Sequence, residues 1–248
     1  GLTEATALEI PPGGEVGVSQ YLVAFIDYPL SATTEGPFVA DCEGMTTRVP
    51  VRGAAMPIEP TSATTVHLWS SPDPRVSFED PGAASTYAIV QGAGTFPVEL
   101  RTGIGVYEAS AQTTVTVIDS DPPRIDNLRV MPTALWPPNH RMVPVRVLVH
   151  ATDDCGPAPQ VRLVSVTSSE PDEARRGGDG STTGDIEGAE LGTDDRAVLL
   201  RAERSGRGVG RTYTLTYEAG DASGNTVRSS VDVSVAHDAS RRPRLPRP

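Results

Sequence analysis

The sequence predicts an all-β chain built as two antiparallel β-sandwiches in tandem, and three observations carry that expectation. Apolar residues recur at every second position in short runs, which is the period of a strand with one buried face. Turn formers are abundant, with 24 Gly and 23 Pro in 248 residues, a composition that disfavours a helix-rich fold. Near the middle, Asp119-Ser120-Asp121-Pro122-Pro123 reads as a linker. It divides the chain into units 1–120 and 121–238, each of ordinary domain size.

In the first unit the alternation is carried by Tyr21, Val23 and Phe25, then Val66 and Leu68, Val76 and Phe78, Phe96, Val98 and Leu100, and Val115 and Val117. Residues 29–48 and 53–63, rich in Pro, Thr and Gly, are expected to be long surface loops. In the second unit a strand is expected at about 125–130. Val143, Val145, Val147, Val149 and Ala151 then alternate with Pro144, Arg146, Leu148 and His150. Further strands follow at 161–166 and 198–202, then Tyr213, Leu215, Tyr217 and Ala219 alternate with threonines and Glu218, and Val231, Val233 and Val235 close the set. Seven short strands separated by turns are the complement of an immunoglobulin-like sandwich. The tail 239–248, with four arginines among three prolines, cannot build a core and is expected to be disordered.

Charge excludes some functions. The net charge is −11, and residues 1–120 hold 14 acidic residues against 4 arginines, whereas 121–248 hold 18 against 17. An acidic first half repels phosphate backbones, so nucleic acid is not an expected partner. No run of 18 apolar residues is present to span a membrane. The sequence begins on Gly1 rather than Met, which reads as a mature or excised chain, and the acidic, lysine-free composition suits a secreted or cell-surface protein. Catalytic signatures are missing: no Gly-x-Ser-x-Gly elbow, no His-Glu-x-x-His, no phosphate loop and no Cys/His metal spacing. Only 12 residues are aromatic, too few to fill two cores and still line a substrate cleft. No enzymatic activity is expected.

The acidic loops carry the chief functional signal. In an immunoglobulin-like sandwich the entering linker, the loop between the second and third strands and the loop between the last two strands lie at one end. Asp119 and Asp121, Asp153 and Asp154, and Asp221 and Asn225 would therefore meet. Such a cluster repels itself unless a cation sits in it, and carboxylate and amide oxygens suit Ca²⁺. Asp119, Asp121, Asp153 and Asp154 are the preferred ligands; the alternative is a set of turns capped by their own aspartates. A second candidate is the loop 179–190, with Asp179, Ser181, Thr183 and Asp185 as oxygen ligands and Glu190 at the twelfth position, the pattern of a calcium loop. Its flanks lack amphipathic helices, only 170–176 having helical character, and a polar hairpin loop is the competing reading.

The two cysteines, Cys42 and Cys155, fall one in each unit and read either as an interdomain disulfide or as two unrelated thiols. Trp136, ahead of Pro137-Pro138, is a candidate for stacking a sugar or peptide, or else packs over the open end of the sandwich. His140 is a candidate ligand or a hydrogen-bonded structural residue.

Several segments resemble known modules. Leu135-Trp136-Pro137-Pro138-Asn139-His140-Arg141-Met142-Val143-Pro144-Val145, Ala151-Thr152-Asp153-Asp154-Cys155, the stretch 165–172, Gly178-Asp179-Gly180, Arg201-Ala202-Glu203-Arg204-Ser205-Gly206 and Asp221-Ala222-Ser223-Gly224-Asn225 resemble the immunoglobulin-like, hyalin-repeat-like modules of secreted bacterial proteins, over about 122–238. Leu68-Trp69, Val76-Ser77-Phe78, the run 94–100 and Thr113-Thr114-Val115-Thr116-Val117 are similar to a polycystic-kidney-disease-type repeat. Both resemblances imply extracellular, non-catalytic β-modules used for adhesion, spacing or accessory binding. Relatives of the second module often carry a further Cys soon after the position of Cys155, where this chain reads Pro159-Gln160-Val161-Arg162; the departure favours Cys42 as the partner. The expected function is a secreted, calcium-stabilised tandem module that contacts an extracellular protein or glycan. The alternatives are a carbohydrate-binding region of a secreted hydrolase and a self-associating subunit of a surface filament.

Overall fold

The computed structural model describes residues 30–56, 64–105, 107–172, 182–206 and 209–236. Among them every regular element is a strand. The first half contributes β1 (Ser31–Thr34), β2 (Phe38–Asp41), β3 (Thr46–Met56), β4 (Thr65–Ser70), β5 (Val76–Phe78), β6 (Ser85–Gln91), β7 (Gly94–Ile104) and β8 (Tyr107–Ile118). The second contributes β9 (Arg124–Met131), β10 (Met142–Thr152), β11 (Gln160–Ser168), β12 (Ile186–Glu187), β13 (Ala197–Arg201), β14 (Gly210–Gly220) and β15 (Thr226–Ala236).

The strands form four sheets, and no sheet mixes the two halves: β1-β3-β6-β5 faces β2-β8-β7-β4, and β12-β13-β10-β9 faces β11-β14-β15. With the strands of each half lettered in order and the first allowed to split, both halves read A-B-E-D against C-F-G, the immunoglobulin arrangement. The split is visible in both. In the first half the chain leaves β1, turns at Gly36-Pro37 and rejoins the other sheet as β2, which runs parallel to β8. A Cβ on Gly36 would lie 2.3 Å from Thr113 Oγ1, so the turn requires glycine. In the second half the same switch shrinks to one parallel bridge between Ala134 and Ser234.

Two cores follow from the alternation. Val49, Val51, Val90, Phe96, Leu100 and Val115 pack with Trp69 in the first, and Val145, Val149, Leu163, Leu200, Tyr213, Leu215, Tyr217 and Val233 fill the second.

Several expectations need correction. The stretch 29–48, expected to be loop, holds β1, β2 and the start of β3, and β3 runs on to Met56. Strands β6 and β12 were not foreseen, and β2 with β8 is a parallel pair in an otherwise antiparallel set. Val66 and Leu68 have the right period on the outward face; it is Trp69 that turns inward, at 2 % exposure. Residues 170–172 are not helical. The strand expected at Tyr21, Val23 and Phe25, the loop 57–63, residues 173–181 and the tail 239–248 lie outside the described residues.

Candidate functional site

The joint is where the two halves touch. Strand β8 ends at Ile118 and β9 begins at Arg124, so residues 119–123 are the crossing. The turn 42–45 after β2 and the turn 92–93 before β7 approach from the first sandwich. The loop after β10 and the loop between β14 and β15 approach from the second. Cys42 and Cys155 are joined in a disulfide with Cα atoms 6.1 Å apart. The Ala93 amide donates to Cys155 O at 3.1 Å, and Asn225 Nδ2 donates to Asp119 O at 3.1 Å. Among the described residues, one covalent link and these two hydrogen bonds thus cross the joint.

Beside the disulfide, Asp119, Asp153 and Asp221 each place a carboxylate oxygen within 4.8 Å of the other two. Each is aimed by its own turn. Asp119 Oδ1 accepts from the Asp121 amide at 3.3 Å, Asp153 Oδ1 from Cys155 at 2.8 Å, and Asp221 Oδ1 from Ser223 at 2.9 Å and Asn225 at 2.8 Å. The turns satisfy one oxygen of Asp119 and Asp153 and both of Asp221, and leave the like charges together. At an effective dielectric of about 20, each pair at this spacing repels by on the order of 3 kcal/mol. The nearby cation, Arg124, bonds Asp154 instead, and that pair is mostly exposed. The cleft here, about 540 Å³, is also lined by Glu43 and Asp121.

Of the four preferred residues, Asp119 and Asp153 lie in this group. Asp154 is engaged by Arg124, and Asp121 contributes its amide to Asp119 while its carboxylate stays outside the group. Asp221 is the third member. Asn225 organises the cluster rather than joining it, with Nδ2 donating to Asp221 Oδ2 at 2.9 Å. Sequence spacing could not have chosen among these residues, because neighbours in a turn point in different directions.

In the described part of the second candidate, the loop 179–190, the central carboxylate is already paired within the protein. Asp185 is buried and bonded by the Arg211 guanidinium, with Arg201 Nε 3.2 Å from its other oxygen, so two cations already occupy the place of a metal. Burial pushes the Asp185 carboxyl up against the pull of Arg211. Burial opposes the Arg211 charge as well, but bonds to Tyr213 and Asp185 hold it above the ordinary arginine value. Thr183 presents its carbonyl to Arg201 at 3.0 Å, and the Glu190 amide donates to Asp195 at 2.9 Å. Asp179 and Ser181 lie outside the described residues.

This ionic network sits at the end of the second sandwich away from the joint, and it absorbs His140. The His140 ring nitrogen Nδ1 is 2.9 Å from Glu203 Oε2, a fully buried carboxylate that also accepts from Thr182. Asp172 accepts from the amides of Gly184 at 3.0 Å and Asp185 at 2.8 Å, and those bonds hold its carboxyl below the usual range. His140, Glu170, Asp172 and Arg201 thus belong to a charge network built around the buried Asp185, Glu203 and Arg211. Trp136 is 37 % exposed at the rim of an apolar groove.

The sequence matches no protein-family model and no curated protein. Among solved structures, a human KIAA0319 PKD domain is 12 % identical over 43 % of this chain and 97 % of its own, at a TM-score of 0.33. The titin domains Z1Z2 in complex with telethonin are 16 % identical over 84 % of this chain and 96 % of theirs, at 0.35. The Yersinia pseudotuberculosis adhesin InvE is 17 % identical over 82 % of this chain and 57 % of its own, at 0.32. At these values the fold assignment rests on the strand order and register of the chain itself.

Proposed function

We propose that the chain is a non-catalytic extracellular module whose two sandwiches act as one stiff unit in adhesion, spacing or accessory binding, with Ca²⁺ as the structural ion of the joint. The observation that carries this reading is the group of Asp119, Asp153 and Asp221 within 4.8 Å, drawn from three loops and set beside a disulfide that ties the two sandwiches. Oxygen-only donors at this spacing fit a hard cation, and Arg124 is turned to Asp154, so the charge cluster has no protein counter-ion of its own among the described residues. The ion would lower the repulsion and fix the loops against the first domain.

Thermal unfolding in millimolar Ca²⁺ and in chelator tests it. Metal bound only by the folded state adds about 2.7 kcal/mol at one hundred times Kd, so the Tm should rise in Ca²⁺. Asp153→Ala and Asp221→Ala should remove the rise, and small-angle scattering should show the joint loosening in chelator. An unchanged Tm in wild type would sink the calcium reading, leaving the disulfide and packing as the sources of stiffness.

A further inference from the structure

We infer that the groove beside β9 and β10 of the second sandwich is a binding site for an anionic saccharide, a polymer bearing uronate or sulfate groups. The inference rests on reading the chain as an extracellular binding module and names the site and ligand class for it. The groove, about 1190 Å³, lies where β9 gives out at Met131 and the chain crosses to the opposite sheet. In the first sandwich that crossing is consolidated by a four-residue ladder between β2 and β8; here it is the single Ala134 bridge. The opening exposes residues that the fold does not need on its surface.

Register sets the pattern. Arg129 lies opposite Leu148 and Met131 opposite Arg146, all four outward and exposed, so the arginines form one diagonal and the apolar residues the other. Diagonal neighbours on a sheet face are about 7–8 Å apart, close enough for two guanidinium groups to grip one charged sugar or two successive ones. Trp136 stands on the rim, and Asp232 on β15 lines the far wall.

Charge selects the ligand. Most described arginines are paired with a carboxylate, yet Arg129 and Arg146 make no ion pair among the described residues, although the chain has 32 acidic residues for 21 basic ones. Unpaired guanidinium groups side by side are a fork for carboxylate or sulfate. A peptide rich in acid would meet Asp232 as a like charge, whereas sugar hydroxyls donate to it. Trp136, Met131 and Leu148 supply the flat apolar contact that the C–H face of a pyranose ring uses. The volume exceeds the range of roughly 300–1,000 Å³ for small-molecule sites, which suits an oligomer.

The test is affinity electrophoresis of the full chain in chelator, through gels containing polygalacturonate, dextran sulfate, neutral dextran or poly-glutamate. Chelator removes calcium bridging, so the result is independent of the joint. The net charge of −11 opposes polyanion binding in general, and the Arg129/Arg146 variant separates the groove from the four arginines of the tail 239–248. Polygalacturonate or dextran sulfate should retard wild type, and whichever does so identifies the anionic group; neutral dextran and poly-glutamate should not. The double variant Arg129→Ala with Arg146→Ala should lose at least about tenfold in apparent affinity. Trp136→Ala should lose less, and Arg52→Ala with Arg141→Ala, two unpaired arginines elsewhere, should lose nothing. Far-UV dichroism verifies that each variant folds. The proposal is overturned by no retardation in either anionic polysaccharide, by equal retention of the Arg129/Arg146 variant, by equal loss in the Arg52/Arg141 control, or by equal retardation in poly-glutamate.

Discussion

The two sandwiches share a strand order and fill it differently. The first is organised on Trp69 of β4, which meets Phe38 edge-on at 6.4 Å and stacks on Phe78 at 6.0 Å, with its indole N–H donating to Ala83 O at 3.1 Å. In the second sandwich the equivalent strand, β11, offers only the aliphatic Val161, Leu163 and Val166, and the aromatic volume is supplied by Tyr213 and Tyr217, whose hydroxyls donate to Arg201 O at 2.9 Å and Asp195 O at 2.6 Å. Burial pushes both phenols up to about 12. Beyond them, the end away from the joint is closed by Asp185, Arg211, Arg201 and Glu203 instead of by hydrocarbon. One topology thus accepts either an aromatic plug or a buried ion network. The second choice makes folding depend on keeping opposite charges matched.

The largest break in this comparison is Trp69→Ala. Removing the indole leaves a cavity under Phe38 and Phe78 and should cost about 3–5 kcal/mol, all of it in the first sandwich. Calorimetry should show one transition falling and the other holding; a joint fall would mean that the two sandwiches unfold as one.

Arg211→Met breaks the other side. It takes from Asp185 the closer of its two cations, leaving Arg201 Nε at 3.2 Å, and should cost the second sandwich about 3–5 kcal/mol. Adding Asp185→Leu should recover most of the loss, because the penalty is a buried unpaired charge and not the absence of an attraction. Denaturant titration measures both. If the double variant stays as unstable as the single one, the network does more than balance charge.

The smallest effect is on the acid side. Glu218 accepts from Arg162 Nε at 2.9 Å and from Arg228 Nε at 2.6 Å, a row across β11, β14 and β15 set by register. The bonds to Arg228 and Arg162 hold its carboxyl below the usual glutamate range. A carboxyl depressed by folding contributes stability that is complete above the unfolded value and is lost as pH falls through the folded one. The second sandwich should therefore weaken below about pH 4.5. In the first sandwich the comparable depression, at Asp73, comes from Arg75 two residues along and ties no strands together, so its decline should be shallower. Tm against pH from 6 to 3 for Glu218→Gln and wild type reads the difference, and parallel curves would remove the row from the account.

What could be read in the sequence was whatever depends on near neighbours. Val143 to Ala151 and Tyr213 to Ala219 announce strands because alternate residues face opposite ways, and Asp119, Asp153 and Asp221 announce turns because a short carboxylate caps its own backbone. The 29–48 region misled for the same reason. β1 and β2 are four residues each, too short for a period to emerge from Pro, Thr and Gly, and they are strands only because β3 and β8 offer partners. Which of the clustered aspartates face one another, the outward turn of Val66 and Leu68, and the pairing of Asp185 with Arg211, 26 residues away, were decided by the tertiary structure alone. The union of Cys42 with Cys155 across 113 residues was one of two readings the sequence offered, and the fold decided it by bringing their Cα atoms to 6.1 Å. A chain specifies the direction of a side chain relative to its neighbours, but the groups that meet at its tip come from strands brought alongside only when both cores close.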